Sequence, residues 1–151
     1  MSEDKIVIVI VIDDQTISKN LEEKLTESGY SVIVSEPRIN SALSLIFKIN
    51  PSIIVISVKL ESDYSGIELA ARIKNEINVP IIFISLSKDK EAYLKAKKVN
   101  PIAYFTQPFE IENLFSTEGT NYEKGNSFGL LLYKELVEKN GDAIRFKKRK
   151  R

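Results

Sequence analysis

The residues best suited to chemistry are carboxylates, hydroxyls and amides, because the chain contains neither histidine nor cysteine. Imidazole bases, thiolate nucleophiles and disulfides are therefore excluded. Two adjacent carboxylates, Asp13 and Asp14, follow the first long apolar run. Three later apolar runs are ended or followed by Ser57, Ser85 and Gln107, one residue for each run. Carboxylates are ligands for hard cations, whereas hydroxyls and amides can donate hydrogen bonds to anions.

Short apolar runs that alternate with amphipathic stretches must position these side chains. The predicted strands are Ile6–Ile12, Tyr30–Ser35, Ile53–Val58, Ile81–Ser85 and Ala103–Thr106, all rich in β-branched or aromatic residues. The intervening stretches repeat apolar residues at helical spacing, and the fourth predicted helix covers Lys88–Lys98. This alternation predicts an α/β fold with a doubly wound parallel sheet. Such sheets bind ligands beyond the carboxyl ends of their strands, so we expect the polar side chains to converge there.

Residues 5 to about 115 resemble the receiver domain of response regulators, the signalling module of two-component (phosphorelay) systems. The resemblance is carried by IVIVIDDQ (8–15), PSIIVISVKL (51–60), SGIELAARI (65–73), PIIFIS (80–85) and KAKKVNPIAYFTQPF (95–109). The family ends its fifth strand with an aromatic residue, a lysine and a proline, where this chain has Tyr104, Gln107 and Pro108. The resemblance implies a flavodoxin-like fold, with five parallel strands in the order 2-1-3-4-5 and helices on both faces.

The same resemblance assigns positions in a site for phosphoryl transfer. The family holds Mg²⁺ with an acidic pair, accepts the phosphoryl group on an aspartate, and contacts its oxygens with a Ser or Thr hydroxyl and a lysine. Asp13 and Asp14 match the acidic pair, and Ser85 matches the hydroxyl. Ser57, however, stands at the phosphoacceptor position, and Gln107 stands at the lysine position.

Two further positions follow the family pattern. Tyr104 matches the aromatic residue that often reports the family's switch, and an aromatic that is simply packed is the alternative for this chain. Pro108 matches the proline, so the resemblance implies a cis peptide bond between Gln107 and Pro108.

The two departures remove the acceptor carboxylate and the cation on which the family's chemistry depends. A serine hydroxyl needs a base to become nucleophilic, and Gln107 can donate a hydrogen bond but cannot neutralise charge. We therefore expect phosphorylation on aspartate to be lost. We expect any Mg²⁺ site at Asp13 and Asp14 to be weak or lost.

Several alternatives stay open for these polar residues. Asp14 also suits the N-cap of the first helix. Ser57 and Ser85 suit hydrogen-bonded hydroxyls at strand ends with no chemistry of their own. Lys59 is placed to reach the acidic pair, and Asp63 could replace the missing carboxylate or remain a solvated loop residue.

The expected organisation is a receiver-like domain over 1–115 followed by two appended segments. Residues 116–144 resemble the glycine-rich end of the ATP-binding domain of a histidine kinase, although Ser127 interrupts the usual Gly-x-Gly-x-Gly-Leu spacing. The other motifs of that domain are missing from the chain, so we expect a remnant without ATPase or kinase activity. The fifth helix of the receiver is expected either at 110–116 or, by preference, at Phe128–Lys139.

The last seven residues, 145–151, carry six Lys or Arg and no acid. Residues 1–144 hold the remaining 16 basic side chains and all 21 acidic ones, a net charge of −5. The tail could bind nucleic acid electrostatically, but a solvated end is the favoured expectation. The longest apolar run, 6–12, is too short to span a bilayer, and we expect a cytoplasmic protein without a membrane partner.

The favoured function is a non-enzymatic, receiver-like signalling module that acts by protein–protein contact. The resemblance implies a protein partner, such as a histidine kinase or an output protein, docking on helix four, strand five and the fifth helix. One alternative is a Mg²⁺-binding phosphorelay receiver with a non-standard acceptor. The other is a regulator that binds nucleic acid through its basic tail, and the sequence leaves the oligomeric state open.

Overall fold

The computed structural model describes residues 6–106, which form five strands and four helices in strict alternation. In chain order these are β1 (Val7–Val11), α1 (Gln15–Glu27), β2 (Ser31–Val34), α2 (Ile39–Ile49), β3 (Ile53–Ser57), α3 (Ser65–Glu76), β4 (Ile81–Ser85), α4 (Lys90–Lys97) and β5 (Ala103–Thr106). None of these four helices is long and apolar enough to cross a membrane. Gln107, Pro108 and the helices predicted at 110–116 and Phe128–Lys139 lie outside the described residues.

The five strands form one sheet in the order β2-β1-β3-β4-β5, and every neighbouring pair is parallel. The central strands β3 and β4 are buried along their whole length. Strands covered on both faces read as unbroken apolar runs, which is why Ile53–Ser57 and Ile81–Ser85 show no alternation with polar residues. The predicted fold class and strand order are confirmed.

The sheet supports a core on each face, because successive side chains of a strand point to opposite sides. On one face, Val9 and Ile54 pack with Ile73 of α3 in a cluster that also includes residues of α2 and α4. On the other face, Ile10 packs with Leu21 of α1. Helices therefore cover both faces, as predicted, and the two cores fix the strand ends at one edge of the sheet.

The element boundaries differ slightly from those predicted. The first strand is Val7–Val11 and not Ile6–Ile12. The fourth helix begins at Lys90 and not at Lys88, because Asp89 is its N-cap and its Oδ1 accepts hydrogen bonds from two backbone N–H groups of the first turn. A carboxylate at that position satisfies donors that have no partner within the helix.

Candidate functional site

The carboxyl ends of β1, β3 and β4 meet at one edge of the sheet and open into a cleft of about 450 Å³. The cleft is lined by Asp13, Ser57, Val58, Lys59, Asp63, Ile84, Ser85, Leu86, Ser87, Asp89 and Ala92. Three of the predicted site residues, Asp13, Ser57 and Ser85, are thus brought together. Asp14 and Tyr104 lie outside the lining of the cleft, and Gln107 and Pro108 lie outside the described part of the chain.

Ser57 is the last residue of β3 and is only 5% exposed. Its Oγ accepts a hydrogen bond of 3.1 Å from the backbone N–H of Asp13. The two residues are 44 positions apart, so this bond ties the end of β3 to the loop between β1 and α1. The hydroxyl of Ser57 therefore has a structural partner within the domain.

The two adjacent carboxylates have different environments. Oδ1 of Asp14 accepts a 3.0 Å hydrogen bond from the backbone N–H of Ile17 and caps α1. Asp13 is exposed and lines the cleft. Of this pair, Asp13 is the carboxylate that faces the cleft, whereas Asp14 is engaged in a helix cap.

Ser85 ends β4 and is also buried. Its Oγ donates a 2.7 Å hydrogen bond to the carbonyl oxygen of Ser87, two residues later in the loop that leads to α4. The backbone N–H of Ser87 points back to the same Oγ at 3.4 Å. The hydroxyl of Ser85 thus holds the start of the β4–α4 loop through local hydrogen bonds.

The loop between β3 and α3 is held by the buried hydroxyl of Ser65. Its Oγ accepts hydrogen bonds from the backbone N–H groups of Leu60 at 3.1 Å and Ser62 at 3.0 Å. The same hydroxyl donates to the carbonyl oxygen of Ser62 at 2.8 Å. Since both donation and acceptance are satisfied, this serine fixes the loop that carries Lys59 and Asp63 over the cleft.

Gly66 allows α3 to approach the end of β3. Its backbone N–H donates a 2.8 Å hydrogen bond to the carbonyl oxygen of Val58. A Cβ at this position would lie 1.7 Å from the carbonyl oxygen of Ser57, which is far inside van der Waals contact. Only glycine fits here with the present backbone, so the first turn of α3 lies directly against the peptide group of Ser57.

A long-range contact holds the same loop on its outer side. Oε1 of Glu61 accepts a 3.0 Å hydrogen bond from the backbone N–H of Ile39, the first residue of α2. The N-cap residue of α2, Arg38, makes no capping hydrogen bond through its side chain. Glu61 therefore caps a helix that lies 22 residues earlier in the chain.

The charged residues of the cleft are Asp13, Asp63, Asp89 and a single cation, Lys59. Within residues 6–106, Lys59 makes no ion pair with Asp13 or Asp14, which the sequence suggested as its partners. The same range contains no group of three or more carboxylates arranged to hold a metal ion. Asp89 and Ser87 were not foreseen as residues of this site, although an aspartate just before a helical pattern is a recognisable N-cap signal.

Tyr104 lies in the core beneath α4 and is 8% exposed. Its ring contacts the ring of Tyr93 edge-on, with centroids 5.1 Å apart, and that of Phe83 at 6.2 Å. Both distances are typical of packed aromatic pairs. The ring thus joins β5 and β4 to the inner side of α4.

Tyr64 stands beside the cleft at the start of α3, with Nζ of Lys95 5.3 Å from its ring centroid. Partial burial raises the pKa of its hydroxyl, and the negative charges of Asp89, Glu91 and Asp63 raise it further. The hydroxyl of Tyr64 is therefore protonated at every pH at which an ordinary tyrosine is protonated, and the residue acts as a hydrogen-bonding and packing group.

Comparison with known proteins places this geometry among signalling domains. A model of the family described as the response regulator receiver domain matches residues 8–117, a range that contains the whole cleft. The response regulator ArlR of Staphylococcus haemolyticus is 31% identical over 109 residues, which make up 72% of this chain and 49% of that protein. The nisin biosynthesis regulatory protein NisR of Lactococcus lactis is 28% identical over 131 residues, 85% of this chain and 56% of that protein. The chain spans about half the length of the curated relatives it matches.

Solved structures give the same result. The receiver domain of the Francisella response regulator 1452 is 29% identical with a TM-score of 0.64, over 73% of this chain and 90% of that one. The signal receiver domain of a modulated diguanylate cyclase from Desulfovibrio desulfuricans is 26% identical with a TM-score of 0.68, over 97% of this chain and 99% of that one.

Proposed function

The chain belongs to the response regulator receiver domain family, and from that premise we propose that it is a non-enzymatic signalling module that is not phosphorylated on aspartate. Receiver domains of two-component systems interact with kinases or output domains. The proposed partner is accordingly a histidine kinase or an output protein. The proposed action is regulated contact between proteins, without chemistry at the strand ends.

The observation that carries this proposal is the state of Ser57. Its hydroxyl accepts from the backbone N–H of Asp13, and within residues 6–106 no carboxylate is hydrogen bonded to it. A serine nucleophile requires a nearby base to take its proton, and the whole chain lacks histidine. These observations support a structural role for the Ser57 hydroxyl, which connects the end of β3 to the loop between β1 and α1. They do not support a role as the acceptor of a phosphoryl group.

The residues present also fit a resident Mg²⁺ poorly. A tightly held Mg²⁺ takes an octahedral set of oxygen ligands and relies on carboxylates to offset its charge. Asp14 is engaged in capping α1, and Ser57 supplies no carboxylate, so Asp13 stands alone at the position of the acidic pair. We assign any binding of Mg²⁺ at Asp13 and Asp14 as weak.

The proposed organisation retains a receiver unit over 1–115, a segment at 116–144 derived from a kinase-like sequence, and a basic tail at 145–151. Apolar side chains of β4 and β5 support the need for a further helix. Ile84 and Phe105 are buried on the same face of the sheet as α1. Within residues 6–106, α1 is the one helix that packs on this face. We propose Phe128–Lys139 as the helix that completes this cover.

A test of the main proposal is incubation of the full chain with a small phosphodonor and Mg²⁺, followed by intact mass measurement. No phosphoryl adduct is expected. An acid-stable adduct that maps to Ser57, or an acid-labile adduct on any carboxylate, would contradict the proposal. A receiver of known activity in the same mixture shows that the phosphodonor is competent.

The second candidate function is a phosphorelay receiver with a non-standard acceptor. It is favoured by one observation, namely that Asp63 and Asp89 share the cleft with Asp13. Peptide mapping of any adduct separates the two candidates, because this second function requires the phosphoryl group on Asp63 or Asp89.

The third candidate, nucleic-acid binding through 145–151, concerns residues that the structure does not describe and stays a prediction. A DNA shift assay at two salt concentrations, with and without that tail, tests it.

A further inference from the structure

Strand β2 is an open edge of the sheet. Within residues 6–106 it pairs with β1 and with no other strand. The elements before and after it in the chain, α1 and α2, are both described, and each packs on a face of the sheet and not along its edge. The outer side of β2 is therefore free of any pairing partner in the described part of the chain.

The backbone groups on this outer side belong to Val32 and Val34. The N–H of Ser35 donates a 2.9 Å hydrogen bond to the carbonyl oxygen of Ile10 in β1, and the register between the two strands is continuous. Since the hydrogen-bonding groups of successive strand residues point in alternating directions, the N–H and carbonyl groups of Val32 and Val34 point away from β1. No hydrogen bond from these two N–H groups occurs within residues 6–106.

The edge also lacks most of the features that prevent strands from pairing with another chain. Proteins protect open edges with charged side chains, proline, bulges or very short strands. Ser31–Val34 has no charged residue and no proline, and all four of its residues keep their register with β1. No residue of β2 is buried, and Val34 is 42% exposed. Shortness is thus the one protective feature that β2 retains.

We propose that β2 pairs with β2 of a second copy of this chain, antiparallel and about a two-fold axis at Ile33. In this register Val32 of one copy faces Val34 of the other, so every outward N–H and carbonyl group of the two valines gains a partner. A closed two-fold dimer is the commonest assembly of soluble proteins. This inference concerns assembly and goes beyond the proposed function, because it does not depend on chemistry at the strand ends.

The composition of β2 favours an identical strand as its partner. Like charges that face each other across two strands are destabilising, whereas pairs of β-branched residues are stabilising. Ser31–Val34 carries no charge, so two copies meet without repulsion within the strand. The pairing also covers the exposed side chain of Val34 with Val32 of the other copy.

The rest of the same chain is less well placed to cover this edge. Residues 107–151 continue from Thr106 at the end of β5, which is the opposite edge of the sheet. Four strand spacings separate β5 from β2, a distance of about 19 Å. We have already assigned Phe128–Lys139 to the face that carries Phe105, so a second copy is the better occupant of the β2 edge.

Pairing at β2 leaves the candidate site accessible. No residue of β2 lines the cleft at the strand ends. Antiparallel pairing turns the carboxyl ends of the two sheets in opposite directions, so the two clefts open at opposite ends of the dimer. Each copy can therefore still contact a signalling partner.

The first experiment uses cross-linking, because the chain contains no cysteine and a single introduced thiol can form a disulfide only with a second copy. In the proposed register Ile33 faces Ile33 across a pair without hydrogen bonds, with Cα atoms about 4.5 Å apart. A disulfide spans about 4.4–6.8 Å. The full chain with Ile33→Cys should therefore form a covalent dimer under mild oxidation, measured on a non-reducing gel.

Two single-cysteine variants are the controls for this measurement. Val34→Cys lies in the same strand at a more exposed position. The two copies of residue 34 are displaced by two residues along the strand, about 7 Å, in addition to the spacing between strands, and a disulfide does not reach that far. Asn75→Cys places the thiol at an exposed position of α3. Ile33→Cys should cross-link at least tenfold faster than either control.

The second experiment follows association of the natural chain by sedimentation velocity over a hundredfold range of concentration. A strand of four residues buries less area than a standard interface, so dimers should appear in the upper part of the range. Val34→Lys should keep the chain monomeric, because a lysine on an edge strand prevents pairing. Asn75→Lys makes the same change of net charge on α3 and should associate like the natural chain. Val34→Pro removes an outward N–H and should also remain monomeric, and thermal melting shows that each variant is folded.

Any of three results would overturn the inference. They are a natural chain that stays monomeric at every concentration, equal association of Val34→Lys and Asn75→Lys, and cross-linking of Ile33→Cys that is no faster than that of Val34→Cys. The phosphodonor experiment reads chemistry at the strand ends and does not depend on association. Loss of this inference and loss of the proposed function can therefore be told apart.

Discussion

Replacement of Gly66 by alanine tests how the end of β3 is positioned. The added Cβ would lie 1.7 Å from the carbonyl oxygen of Ser57 and 2.8 Å from that of Val58. Both are backbone atoms, so the clash cannot be relieved by a change of side-chain rotamer. The first turn of α3 must move away from β3, which lengthens the hydrogen bond from the N–H of residue 66 to Val58.

The expected loss can be worked out from these contacts. Overpacking of a closely packed site costs about 1–3 kcal/mol, and a weakened backbone hydrogen bond costs about 1 kcal/mol. Alanine recovers roughly 1 kcal/mol through its higher helix propensity. An overlap at 1.7 Å with a backbone oxygen places the overpacking cost at the upper end of its range. The free energy of unfolding of Gly66→Ala should therefore fall by about 3 kcal/mol, with a decrease in Tm on the order of 10 °C.

Urea denaturation followed by circular dichroism measures this change, and Gly29→Ala is the matched control. Gly29 has a φ of +99°, but apart from its chain neighbours no atom of residues 6–106 lies within 4 Å of the position that a Cβ would take there. Alanine at residue 29 therefore meets backbone strain of about 1–2 kcal/mol and no clash. Gly66→Ala should be the more destabilising of the two. A loss below about 1 kcal/mol, or a loss no greater than that of the control, would refute the close approach of α3 to Ser57.

Three further outcomes are expected. Ser57→Ala removes the hydrogen-bond acceptor for the N–H of Asp13 and should lower the free energy of unfolding by about 1 kcal/mol. Hydrogen exchange at the Asp13 amide should be faster in the folded variant, and unchanged exchange would contradict the structural role of this hydroxyl. Asp14→Ala should cost about 1 kcal/mol through loss of the α1 cap, measured by urea denaturation, whereas Asp14→Asn should retain most of the stability. Burial raises the pKa of Tyr30 above its ordinary value of 10.0, so the unfolded chain loses this proton first and stability should fall as pH rises above about 10. Tyr30→Phe should reduce that decline, and an identical decline in the variant would assign it to other groups.

The sheet was predictable because its strands are runs of β-branched residues that differ sharply from the amphipathic helices between them. The convergence of Asp13, Ser57 and Ser85 followed from the same alternation, since parallel strands that connect through helices end at one edge. The strand order required the family resemblance, because periodicity alone does not distinguish one order of five parallel strands from another.

Contacts between distant elements were not predictable from the sequence. Glu61 caps α2 across 22 residues, and nothing in its local pattern indicates this. The close approach at Gly66 depends on where α3 packs against β3. Asp89, in contrast, carries a local capping signal, so the start of α4 at Lys90 was within reach of the sequence even though Lys88 was predicted.

The central claim is that the frame of a phosphoryl site persists around Ser57 without its acceptor. The most direct test compares the natural chain with the double variant Ser57→Asp and Gln107→Lys, each incubated with a small phosphodonor and Mg²⁺ and measured by intact mass. We predict a Mg²⁺-dependent, acid-labile phosphoryl adduct on the double variant and none on the natural chain. An adduct on the natural chain would contradict the loss of chemistry, and no adduct on either would contradict the persistence of the frame.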